Sequence, residues 1–226
     1  MLSGWGTLIG AAAIVYAAHK GSDTFKQWRR QKSEERRIDL AEQILTLAYK
    51  LKRAIEPIRS PMMLAGEIAQ VEVSLREQGL IGDNAPEGNR GDLTTAQATI
   101  SRVHHHKELW DALLDITPVA KAIFGNETEK QLNEFWLIRG KIIAAAYAYA
   151  RLAGRPPART AEAQERQNER RDKLEQVIWF GGGEDGVDEV ANSVDAAVAG
   201  LEAALLPIIR SDTQFGTANA ASVDED

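Results

Sequence analysis

The sequence predicts an all-α protein, a single N-terminal transmembrane helix followed by a cytoplasmic antiparallel helical bundle of about six helices. Three observations lead there. Residues 2–18 carry no charged side chain. Downstream, apolar residues recur at three- and four-residue spacing, and no segment shows the two-residue alternation of a strand. Glycine and proline punctuate those stripes, leaving mostly short connections that favour antiparallel neighbours.

The uncharged run is the first element. As a helix it extends about 26 Å, close to the roughly 30 Å hydrocarbon core of a bilayer. Trp5 and Tyr16 lie near its ends, where aromatic belts sit. Positive charge follows it in Lys20, Lys26, Arg29, Arg30, Lys32, Arg36 and Arg37. That order opposes a cleaved signal peptide and predicts an N-out/C-in topology with the bulk of the chain in the cytoplasm of a bacterial cell. The expected location is the bacterial inner membrane, crossed once. Gly6 and Gly10 form a G-x-x-x-G pair through which two such helices can pack, making a second copy one candidate partner.

The division of the chain follows from composition. Residues 1–20 are the anchor and 21–59 a basic juxtamembrane helix that continues into the bundle. Residues 60–209 form the bundle, and 210–226 an acidic disordered tail. The basic segment has a seam at Ala41, Ile44, Ala48, Leu51, Ile55 and Ile58. Gly21 and Ser22 suggest a break before it, and Pro57 and Pro61 its end. Ser60-Pro61 opens a helix over 62–78, closed by Gly79. Residues 79–92 read as a loop. A helix over 93–115 follows, then a short one starting at Thr117-Pro118 and stopping at Gly125. Asn126 with Glu129 resembles a capping box before a helix over 127–153. Its core face contains Leu132, Phe135 or Trp136, Ile142, Ile143, Ala146 and Ala150. Tyr147 and Tyr149, interleaved with Ala144–Ala148, suggest close helix packing. Residues 160–180 begin polar and become apolar at Leu174. Val187, Val190, Val194, Ala197 or Val198, Leu201 and Leu205 mark the last helix.

Composition limits function. The 226 residues are 44% hydrophobic and 27% charged, which excludes a wholly disordered chain and a polytopic membrane protein. With 27 basic and 33 acidic side chains the net charge is −6, so nucleic acid is a disfavoured partner. Cysteine is absent, which removes thiolate metal sites and cysteine nucleophiles from these residues. The average of −6 conceals order. Residues 20–59 carry eleven basic and six acidic side chains, whereas residues 181–226 carry one basic and ten acidic. A basic stretch beside an apolar helix attracts anionic lipid headgroups.

Few residues suggest chemistry. His104, His105 and His106 are consecutive, so on a helix they point about 100° apart and cannot converge on one ion. A two-ligand half-site such as His104 with Glu108, at i and i+4, is geometrically possible for a metal and needs further ligands from another helix. The glycine-rich loops at 83–94 and 181–186 lack calcium-loop and P-loop residues. No cofactor motif and no nucleophile elbow is present. Arg102 followed by His106 resembles the Arg…His pair of the HEPN helical-bundle nucleases, with three intervening residues where that family places four to six.

Three readings of function follow. The first is a membrane-anchored cytoplasmic interaction protein, a scaffold, accessory subunit or regulator whose partners are the bilayer and an unidentified protein. The second is a HEPN-like ribonuclease or metal-dependent hydrolase using His104–His106. The third is a membrane-disrupting effector that oligomerises through its N-terminal helix.

Overall fold

The computed structural model describes residues 3–82, 87–153, 155, 158–181 and 186–220, with side chains only from 24–82, 88–153, 155, 158–181 and 186–210. Among the described residues there are seven helices and no strand. They are α1 (Ser3–Ile58), α2 (Ala65–Glu77), α3 (Glu87–His105), α4 (Lys107–Phe124), α5 (Asn126–Ala153), α6 (Ala161–Ile178) and α7 (Glu189–Ala220). The all-α expectation is met. The chain divides into two compact units, Met1–Gln43 with Pro207–Asp226, and Ile44–Leu206.

Helical periodicity located the buried faces well. Ala41, Ile44, Ala48, Leu51, Ile55 and Ile58 on α1 are all buried. So are Leu132, Phe135, Ile142 and Ala146 on α5, and Val190, Val194, Ala197, Val198, Leu201 and Leu205 on α7. Within the larger unit α5 is the hub, packing against α3, α4 and α6, while α2 packs on α3.

Helix boundaries differ from expectation in several places, where side-chain hydrogen bonds to the backbone compete with the local signals. No break occurs at Gly21 or Ser22, because α1 is continuous to Ile58. The helix expected from Ser60-Pro61 begins only at Ala65. The Arg102 guanidinium takes the Ser60 carbonyl at 2.6 Å and the Met62 carbonyl at 2.8 Å, the acceptors that a first turn would use. Residues 88–92, read as loop, are the first turns of α3. Thr94 and Thr95 hydroxyls donate to the Arg90 and Gly91 carbonyls there.

The expected helix over 93–115 is instead split at His106, which adopts φ −91° and ψ 23°. The Trp110 indole N–H donates to the Val103 carbonyl at 3.2 Å, substituting for the backbone donor at the break. Pro118 therefore lies inside α4 rather than at its start. It and Leu114, whose carbonyl it leaves without a backbone donor, are both exposed to water. Gly125, at φ 89°, ends α4 in a backbone conformation that glycine adopts without strain. Val187 is exposed and precedes α7, whose cap is Asp188.

The expected anchor over residues 1–20, including Gly6, Gly10 and Lys20, falls on side chains outside the described residues. The tail expectation falls on residues 211–226, whose side chains are likewise outside them, with backbone helix to Ala220. Among the described residues the stretch long and apolar enough to cross a membrane, by length and composition, is Glu189–Arg210.

Candidate functional site

The histidine stretch lies at the α3–α4 break, beside a cleft. Arg102 on α3 crosses to α2 and grips Glu67 with both prongs, Nε to Oε1 at 2.6 Å and Nη2 to Oε2 at 2.8 Å. With the Ser60 and Met62 carbonyls this engages four of its five N–H groups. The Arg102 guanidinium holds the Glu67 carboxyl below the usual carboxylate range, against the opposing effect of burial. A cavity of about 330 Å³ adjoins the pair, lined by Gln70 and Ser74 of α2 and Ser101 and His105 of α3. A second, of about 310 Å³, also borders the pair and lies against Pro57, Met62, Leu64 and His106. His105 and His106 meet edge to face, ring centroids 5.5 Å apart. Burial, and then the neighbouring His105, push the His106 pKa down.

His104 and Glu108 are both exposed and sit on opposite sides of the helix break. Among the described residues no group of three or more histidine or acidic side chains is placed to hold a metal ion. Arg102 and His106 line the same cavity, but the arginine is a tie between α2 and α3.

Sequence reasoning missed the two strongest polar clusters. Arg59, just past α1, is wholly buried. Its Nη1 donates to both Asp188 oxygens at 2.9 Å, Nε to the Val177 carbonyl, and Nη2 to the Gln176 and Trp179 carbonyls. It thus neutralises the negative C-terminal end of α6. Asp188 in turn accepts the Ala191 amide as the α7 cap and the Gly181 amide of the preceding loop. Burial raises the Asp188 carboxyl, yet these amides and Arg59 together hold it below its ordinary value.

The second cluster joins α3, α5 and α6. The buried Tyr149 hydroxyl donates its one proton to Glu175 at 2.8 Å, Asp92 lies 3.2 Å from the same oxygen, and Arg171 binds both carboxylates. Burial, with the acceptor Glu175, raises the Tyr149 pKa above its ordinary value. Arg171 also lies over the phenol ring, 5.3 Å from its centroid. Asp92 and Tyr149 carried a weak signal, being polar groups beside apolar stripes, but their pairing is not local.

On α1 the basic residues Lys26, Arg29, Arg30, Lys32 and Arg36 are exposed, and Arg37 is half-buried beside Glu34. Phe25 and Trp28 stack among them, ring centroids 5.8 Å apart, each 57% exposed. No protein-family model, curated protein or solved structure matches the chain.

Proposed function

We propose that this chain is a membrane-anchored helical interaction protein, held by residues 1–20 in a bacterial inner membrane with its helical domain in the cytoplasm. The observation that carries this reading is the exposed Phe25–Trp28 stack set among Lys26, Arg29, Arg30 and Lys32. At 1.5 Å per residue, Phe25 and Trp28 follow Ala18 by about 10 and 15 Å. With the uncharged run filling the core, that sets both rings several ångströms outside a headgroup layer about 5–8 Å thick. The long basic side chains beside them can reach back to anionic lipids there.

The reading assigns Glu189–Arg210 to the protein core. Its apolar stripe is already buried, Asp195 pairs with Lys52 at 2.7 Å, and Glu202 accepts the Tyr49 hydroxyl at 2.7 Å. The domain's role is to bind a protein partner at the membrane surface. The committed polar clusters support this reading, since Arg59, Arg102 and Tyr149 each tie helices together.

Carbonate extraction of membranes, with and without residues 1–20, tests the proposal. The full chain should stay with the membrane and the truncated chain should be released. Release of the full chain, or retention of the truncated one through α7, would overturn it.

A further inference from the structure

Although α5 packs against α3, α4 and α6, one of its faces is uncovered. Asn133, Leu137, Gly140, Ala144, Tyr147 and Arg151 are all exposed, Leu137 at 65% and Tyr147 at 54%. They recur at alternating four- and three-residue spacing, the pattern of a helix-pairing seam. The opposite face, with Phe135, Ile142 and Tyr149, is buried in the domain. Exposed large apolar residues arranged this way mark an interaction surface.

The seam reads alike in both directions. Turned about the level of Ile142, Leu137 exchanges with Tyr147, Gly140 with Ala144, and Asn133 with Arg151. We propose that this face joins two copies of the chain, with their α5 helices antiparallel about a twofold axis at Ile142. A twofold interface needs a patch complementary to itself, and this one is. Gly140 of each copy faces Ala144 of the other, so the helices approach closely at the centre. A Cβ added at Gly140 would meet nothing within 4 Å in the single chain, so the glycine opens onto free space. Leu137 and Tyr147 of opposite copies then pack on either side of that centre, and the seam runs about 27 Å from Asn133 to Arg151 at 1.5 Å per residue.

Charge favours the same arrangement. Neither Glu134 nor Arg151 has a hydrogen-bond or ion-pair partner among the described residues. The antiparallel alignment brings Arg151 of each copy level with Glu134 of the other, giving two reciprocal ion pairs. A parallel alignment would set Arg151 against Arg151. Lys141, which flanks the seam near the axis, already has Glu189 within 3.5 Å to offset its charge.

The test uses the full chain in detergent with Gly6→Leu and Gly10→Leu, which removes pairing through the N-terminal glycines. Sedimentation equilibrium should find a dimer. Gly140→Leu or Ala144→Leu should each raise its Kd about tenfold or more, as loss of a central packed contact does, with helical circular dichroism unchanged. Arg151→Glu should weaken the dimer and added Glu134→Arg should restore it. Because the chain has no cysteine, Gly140→Cys and Ala144→Cys chains can be mixed and oxidised. The mixture should crosslink faster than either alone. A monomer, a dimer indifferent to both leucines, or faster crosslinking of Gly140→Cys with itself would overturn the proposal.

Discussion

Arg59, wholly buried, and Asp188, 129 residues apart in the chain, form an ion pair in which one guanidinium nitrogen meets both carboxylate oxygens, and it joins the ends of three helices. The arginine closes α6 and the aspartate opens α7, so each charge also satisfies backbone groups. Burying a pair of this kind gains little over a well-packed apolar pair, but removing one partner strands the other. Arg59→Ala should therefore destabilise the protein by about 3–5 kcal/mol. Asp188→Asn keeps a cap for α7 but leaves the wholly buried Arg59 charge uncompensated, and should cost about as much. Urea unfolding followed by circular dichroism measures both, and a negligible loss for Asp188→Asn would show that the charge is irrelevant.

Arg102 ties α2 to α3 through Glu67 and two carbonyls. Hydrogen bonds to charged groups contribute roughly 1.5–3 kcal/mol each. Because the pair is part-exposed, Arg102→Ala should cost about 2–3 kcal/mol in all, near the value of one such bond. Arg102→Lys should recover little, because an ammonium cannot reproduce the two-pronged geometry. Full recovery by lysine in urea unfolding would sink that reading.

Much of this fold was legible because period-3.6 stripes report burial directly. The seam from Ala41 to Ile58 and the stripe from Val190 to Leu205 emerged intact for that reason. Boundaries were less legible. Pro118 is a strong local signal, yet the break falls at His106, where the Trp110 indole captures a carbonyl seven residues earlier. Arg59 looked like one more residue of the basic neck, and nothing local distinguishes it from Arg53. Asp188 did carry a sign, an aspartate just before an apolar stripe and after a glycine run, which is the pattern of a helix cap. The seam on α5 was half visible: Tyr147 and Tyr149 both suggested close packing, but only Tyr149 is inside.

The exposed basic residues of α1 predict lipid selectivity. A chain lacking residues 1–20 should bind vesicles containing phosphatidylglycerol and ignore neutral phosphatidylcholine vesicles. At roughly 1 kcal/mol per residue, replacing Lys26, Arg29, Arg30 and Lys32 with glutamine should weaken that binding by up to about a thousandfold. Raised salt should do the same. Flotation assays decide it, and equal binding to both vesicle types would remove the headgroup role.

His106 predicts a separate acid response. Its folded pKa lies below the ordinary 6.5 because burial, and then His105, disfavour the cation. Between 6.5 and that lower value the unfolded chain holds more protons than the folded one, so stability falls as pH falls. The contribution is complete above 6.5 and is lost as pH drops through the folded pKa. Glu67 and Asp188, whose folded pKa values are lowered, act in a different window. Their stabilisation is present above the ordinary carboxylate range and is lost only in stronger acid. Urea midpoints should therefore decline in two steps on acidification, the first setting in below pH 6.5. His106→Gln cannot titrate and should flatten the first step alone. If the first step persists in that variant, His106 is not its source.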